Sequence, residues 1–182
     1  MNKLLLSAAL VSAFAGAALA PRSASASDGT ITINGTITST TCTITAGTGG
    51  NVTVNLPTIS NTSIATKGSS AGRTAFTIAL SSCGTLTKAT TYFESSPLVM
   101  ADGNLKNSGT TGASTGTEVQ LLNGADSSII NLTGGTGAQG VTQATISGGT
   151  ATLPYYAQYF ASVAGVPAGT VASTITYVMS YQ

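Results

Sequence analysis

The chain has 182 residues, with six Lys or Arg against five Asp or Glu and no histidine. Only 6% of its residues are charged, and without a basic cluster it lacks the electrostatic footprint that nucleic acid or an anionic membrane requires. Lack of histidine removes the usual general base and the commonest metal ligand, while a hydrophobic content of 42% is that of a folded domain and not of a disordered tail.

The chain opens on an address. Lys3 supplies a small positive start, and Leu4 to Ala20 is an apolar run whose only polar residues are Ser7 and Ser12. This pattern predicts a secretory leader over residues 1–26 and not a membrane anchor. Two small-residue cleavage signals are available, Ala18-Leu19-Ala20 and Ala24-Ser25-Ala26. The second is preferred, because the first places Pro21 directly after the cut. The mature chain then runs from Ser27 for 156 residues, enough for one domain with its own core. With Lys3 and Arg22 removed, four Lys/Arg face five Asp/Glu and the net charge is −1.

Beyond the leader, 32 threonines and 22 glycines suit twisted strands and tight turns better than helices. Alternation with period two recurs, whereas helical spacing is never sustained, so the class is all-β. The predicted strands are 30–45, 52–56, 74–80, 90–94, 118–122, 128–132, 141–146, 150–160 and 171–181, with turn residues clustered between them in the manner of a sandwich. The stretch 101–117 reads as the exposed loop. No fixed period appears, which disfavours a solenoid.

The first strand is strictly alternating: Ile31, Ile33, Gly35 and Ile37 on one face, Thr30, Thr32, Asn34 and Thr36 on the other. Each isoleucine is worth about 1.5–3 kcal/mol when fully withdrawn from water. Taken alone, the alternation allows an ordinary first strand of the domain's own sheet. The last strand places Ile175, Tyr177, Met179 and Tyr181 on one face and is followed only by Gln182. Nothing after it is expected to cover its apolar edge, the kind of edge that stable monomers normally protect.

Cys42 and Cys83 are the only cysteines, and export to an oxidising compartment predicts that they join. They stand too far apart for a redox Cys-x-x-Cys site, and no zinc-ligand cluster is recognisable. No serine lies in a Ser-x-x-Lys or Gly-x-Ser-x-Gly context. Glu94, Asp102, Glu118 and Asp126 stay open as a carboxylate pair of the glycosidase kind. Gly135, Gly137 and Gly140 match Gly-x-Gly-x-x-Gly, but the β-branched residues after them oppose the helix a dinucleotide site needs, so a turn is expected. Sequons at Asn34, Asn51, Asn61 and Asn131 are what a threonine-rich chain produces by chance. No enzyme, cofactor or metal is expected.

The segment Gly29-Thr30-Ile31-Thr32-Ile33-Asn34-Gly35-Thr36-Ile37, followed by Cys42, resembles the type 1 fimbrial subunits of the chaperone-usher pathway. The likeness continues through Ser81-Ser82-Cys83-Gly84, Tyr92-Phe93-Glu94, Gly103-Asn104-Leu105-Lys106-Asn107 and Val119-Gln120-Leu121-Leu122-Asn123. Tyr155-Tyr156-Ala157-Gln158-Tyr159 and the terminal Tyr177–Gln182 complete it, so that it spans residues 27–182. The resemblance implies an incomplete immunoglobulin-like sandwich, six-stranded, whose groove is filled by a neighbour's N-terminal extension. Residues 27–41 would be that extension and 42–182 the pilin domain. Ile31, Ile33 and Ile37 would be the donor residues, with Gly35 allowing close approach. It further implies a periplasmic chaperone recognising the final strand and the carboxylate of Gln182, an outer-membrane usher, and a homopolymeric adhesive pilus on the bacterial surface. The implied role is that of a major shaft subunit. A minor tip subunit and a self-contained secreted β-sandwich that binds a ligand are the alternatives.

Overall fold

The computed structural model describes residues 30–35, 37 and 39–182. The leader expected over 1–26 lies outside the described residues, as do Ser27, Gly29, Thr36 and Thr38. The chain forms two compact units, residues 1–37 and 38–182, and every strand below belongs to the second.

That unit is built from eight strands: β1 (Thr43–Ile44), β2 (Ser70–Ser81), β3 (Lys88–Phe93), β4 (Leu105–Lys106), β5 (Thr117–Asn123), β6 (Ala144–Thr145), β7 (Ala151–Ala161) and β8 (Tyr177–Tyr181). They make a five-stranded sheet, β1-β2-β7-β5-β4, and a three-stranded sheet, β6-β3-β8. Every ladder in them is antiparallel. Three of the eight strands are two residues long, so β2, β3, β5, β7 and β8 carry the architecture.

Alternation explains why the two sheets face each other. Phe76, Ile78 and Leu80 of β2, Leu153, Tyr155 and Ala157 of β7, and Val119 and Leu121 of β5 fill one core with Ala89 and Phe93 of β3. Tyr155 lies at its centre, edge-on to Phe93 at 5.6 Å and tilted on Phe76 at 5.4 Å. Such aromatic pairs add about 0.5–1.5 kcal/mol beyond the area they bury. Cys42 and Cys83 are joined as expected, across a sequence separation of 41.

Several predicted strands shrink, for one physical reason: a strand needs a neighbour. Among the described residues, of 30–45 only Thr43–Ile44 form a strand, and of 141–146 only Ala144–Thr145. The segment 128–132 contributes one bridge, Leu122 to Ile129. Residues 52–56 enter no ladder, and 171–181 is a ladder only from Tyr177 onward. The stretch 101–117 is not the open loop expected, because Leu105 packs into the core and Asn104 is only 2% exposed. The glycines around Gly135 form turns, in agreement with the sequence.

The outer face of the larger sheet carries a directed ladder of amides. Arg73 Nε donates to Gln158 Oε1 at 3.0 Å, Gln158 Nε2 to Gln120 Oε1 at 2.9 Å, and Gln120 Nε2 to Asn104 Oδ1 at 3.1 Å. Asn104 Nδ2 then donates to both Asp102 Oδ2 (3.0 Å) and Glu118 Oε2 (3.2 Å). Every donor points from the guanidinium towards the carboxylates. The alignment at β2 depends on an irregularity between Ala71 and Thr74, where Gly72 adopts φ +70°. A Cβ at Gly72 would stand 2.8 Å from Tyr159 Cδ2, so a side chain is excluded there.

At the other sheet, Gln139 replaces a strand with a side chain. Phe93 N donates to its Oε1 at 3.0 Å, and its Nε2 donates to Phe93 O at 2.6 Å. The amide of Gln139 therefore occupies the edge of β3 as a peptide unit would.

Candidate strand-accepting groove

The two segments that lost their ladders face each other. Val52, Val54 and Leu56 alternate with exposed Thr53 and Asn55 and form one rim. Pro57 follows, with no N–H to extend a ladder. Val171, Ser173, Ile175 and Tyr177 alternate with Ala172, Thr174 and Thr176 and form the other. Between them lies an open cleft of about 1050 Å³. Phe76, Ile78, Phe93, Val119 and Leu121 make its floor, so the cleft runs directly over the core.

Each rim has main-chain groups without a partner among the described residues. Among the described residues, nothing exchanges a main-chain hydrogen bond with residues 52–56. On the second rim, the even-numbered residues turn towards the body of the fold. Glu94 N donates to Thr176 O at 2.9 Å, Ser108 N to Ala172 O at 2.7 Å, and Ala172 N to Asn107 Oδ1 at 3.0 Å. Val171, Ser173 and Ile175 present their peptide groups to the opposite side, where no described residue pairs with them. Two rims with apolar side chains and free peptide groups are what one absent strand would satisfy.

The hydroxyl of Tyr177, in the lining of the cleft, donates to the carbonyl of Gly50 at 2.5 Å. Burial raises the phenol pKa of Tyr177. It raises that of Tyr181 too, where the nearby Tyr177 adds to the effect and a hydrogen bond to the Cys42 main chain opposes it. Met179 and Tyr181 sit half-buried on β8 against the core, beyond the groove-lining stretch. Gln182 is held at the start of β3, its main-chain oxygen accepting from Thr87 N at 2.7 Å and Lys88 N at 3.1 Å.

Ile31, Ile33 and Ile37 are 89%, 88% and 102% exposed, and Gly35 is exposed with them. The ordinary-first-strand reading is thus corrected: the described residues 30–35 and 37 belong to no strand. The rim of Val52, Val54 and Leu56 was legible as a strand but not as half of a groove, since its opposite side is 115 or more residues away in sequence. Of the four open acids, Asp102 and Glu118 come together, bridged by Asn104 on the outer face of the larger sheet. Asp126 instead accepts from Ser128 N and Oγ within its own turn.

An antiparallel sandwich with one strand's place left open defines the chain as an incomplete immunoglobulin-like fold of the pilin kind. The model of the family described as Type-1 fimbrial protein, A, matches residues 56–182. The Major fimbrial subunit SMF-1 of Stenotrophomonas maltophilia (strain K279a) is 39% identical over 170 residues, covering 90% of this chain and 98% of that protein. The F17 fimbrial protein of Escherichia coli is 38% identical over 163 residues, covering 85% and 88%. The P pilus rod subunit PapA has a similar fold, with a TM-score of 0.59 over 78% of this chain and 99% of that one at 16% identity. The chain belongs to the type-1 fimbrial protein family.

Proposed function

We propose that this fimbrial subunit is polymerised by donor-strand exchange into a surface pilus, as its shaft subunit. In this reading, residues 31–37 of one copy enter the groove of the next. Ile31, Ile33 and Ile37 are buried there, and Gly35 lets the two backbones approach. The observation that carries it is a paired vacancy: an apolar groove with unpaired rims, and three exposed isoleucines spaced to fill one face of a strand. Main-chain pairing along both rims would give affinity, and the side chains along the floor would give register.

Before assembly, a periplasmic chaperone lends a strand to the same groove and engages the final strand at Ile175, Tyr177, Met179, Tyr181 and Gln182. An outer-membrane usher then brings subunits together. Exchange proceeds because the subunit's own partner packs the groove better, and the polymer persists through a high barrier to unfolding.

The test is expression of the exported chain with and without residues 27–37, followed by electron microscopy of the cell surface and of purified protein. Filaments are expected only from the intact chain. Filaments that form equally well without the extension would sink the donor-strand reading. A truncated chain that stays folded, monomeric and thermally stable would favour a self-contained binding module.

A further inference from the structure

The chain contains two Asn-Gly pairs, Asn34-Gly35 and Asn123-Gly124, and holds them in opposite ways. Asn123 is buried, and every polar atom of its amide is taken. Its Nδ2 donates to Ser128 Oγ at 2.9 Å and to Gly140 O at 2.7 Å, while its Oδ1 accepts from Thr142 N at 2.8 Å. The next nitrogen is engaged too, since Gly124 N donates to Pro154 O at 2.9 Å. Asn34 and Gly35 are both exposed, and neither has a hydrogen-bond partner among the described residues. A Cβ built on Gly35 would meet nothing within 4 Å.

An unhindered Asn-Gly pair is chemically unstable. The nitrogen of the second residue is a nucleophile one ring closure away from the amide carbon. Glycine puts no side chain in its path and lets the backbone turn into the geometry of attack. Gly35 N attacks Cγ of Asn34, and the new N–C bond replaces the bond from Cγ to Nδ2. The proton of Gly35 N leaves with Nδ2 as ammonia. Water then opens the cyclic imide. Attack of water at Cγ leaves an ordinary aspartate. Attack at the main-chain carbonyl leaves isoaspartate, whose chain runs through Cγ and is one carbon longer. Nothing is oxidised or reduced, and water is the only co-reactant.

Resting on the donor-strand reading, we propose that Asn34-Gly35 is a self-modifying site that limits how long an unassembled subunit stays able to donate its strand. The added carbon lies between Ile33 and Ile37. Side chains on a strand alternate residue by residue, so an extra chain atom there puts Ile31 and Ile33 out of step with Ile37 in both spacing and face. The aspartate product keeps the chain length. Its charge sits on the face shared by Thr32 and Thr36, opposite the isoleucines, so donation survives it. Once paired in a neighbour's groove, the segment is held extended with its peptide groups in a ladder, and the Gly35 nitrogen no longer reaches the amide carbon. Assembly thereby halts the reaction, and only subunits left unassembled are retired.

The test starts from the full chain, isolated as unassembled subunits and held at neutral pH and physiological temperature. Peptide mass spectrometry with isoaspartate-specific methylation follows both pairs. Isoaspartate should accumulate at position 34 at least about tenfold faster than at position 123, which reacts only when its strand end opens. Equal rates in the folded chain, or no reaction at position 34, would overturn the proposal. In filaments, position 34 should stay unmodified over the same time, and reaction there at the free-chain rate would overturn it too. Synthetic peptides of residues 29–41 with asparagine, aspartate or isoaspartate at position 34 then separate the products. The first two should bind the unassembled chain within about twofold of each other, as a surface change allows. The isoaspartate peptide should bind at least about tenfold more weakly, the equivalent of one isoleucine left in water. If it binds as well as the asparagine peptide, the self-modifying site falls while donor-strand exchange stands. If the asparagine peptide does not bind at all, both fall. Asn34→Gln, whose amide closes a larger ring far more slowly, should assemble like the wild type when fresh and keep that capacity on ageing while the wild type loses it. Identical ageing of the two chains would also overturn the proposal.

Discussion

The hydroxyl of Tyr155 donates to Oγ1 of Thr91 at 2.9 Å, and the two residues belong to different sheets. It is a polar tie through the middle of an apolar core, where both residues are buried. In Tyr155→Phe the ring and its contacts with Phe76 and Phe93 remain, and only the tie is lost. Urea unfolding of the unassembled subunit is expected to show a loss of about 1–2 kcal/mol, the cost of leaving a buried hydroxyl short of a partner.

The amide ladder from Arg73 to Asn104 predicts a larger effect from its middle than from its end. Gln158→Leu leaves both Gln120 Oε1 and Arg73 Nε without their partners. About 2–3 kcal/mol of destabilisation is expected, because each is left polar and unpaired. Arg73→Lys keeps the charge but gives up the fork that reaches both Gln158 and Ser127, and it should cost less. Denaturant midpoints of the two variants check the order.

Glu118 predicts a pH dependence of definite sign. Burial holds its carboxyl above the ordinary range, the hydrogen bond and negative charge of Asp102 push the same way, and Asn104 and Ser162 oppose them. A group whose folded value is raised favours folding while protonated. Its contribution is therefore fully present below the unfolded value of about pH 4.3 and is lost as pH rises through the folded value. Asp126 behaves in the opposite way: Ser128 N and Oγ hold its value down, so its contribution is present above the ordinary aspartate range and is lost as pH falls. Thermal midpoints measured from pH 3 to 7 should flatten at the upper end in Glu118→Gln and at the acid end in Asp126→Asn.

The Cys42–Cys83 disulfide closes a loop with a separation of 41 residues. In the chain-entropy account a loop of that size is worth about 4 kcal/mol. It also ties the residue before β1 to the turn after β2, where β1 contributes only two ladder residues of its own. A Cys42→Ser/Cys83→Ser chain should unfold at a clearly lower denaturant concentration, and reduction of the wild type should reproduce that shift.

The sequence made legible whatever a residue does with its near neighbours. The alternation of Ile31, Ile33 and Ile37, the apolar face of Tyr177 to Tyr181 and the pairing of two lone cysteines could all be read before any fold was known. What could not be read depends on partners far along the chain. Asn104 and Glu118 are polar residues of an apparent loop and strand until Gln120, Gln158 and Arg73 line up beside them across three strands. Gln139 sits in a glycine-rich turn that says nothing of Phe93. Residues 52–56 and the first part of 171–181 alternate as strands do, yet the ladder that would make them strands is not supplied by any described residue.

The capped edge at Phe93 has a consequence for how such a molecule can grow. The outermost strands of the larger sheet, β1 and β4, are each two residues long, and the amide of Gln139 occupies the edge of β3. Short or blocked edges give an arriving chain little to template on. Among the described residues, the slot between residues 52–56 and 171–175 is an open run over the core, and its continuation along the outer edge of β8 is likewise without a main-chain partner. If that run takes one strand per copy, as in the proposed assembly, each copy accepts one neighbour and the product is a line.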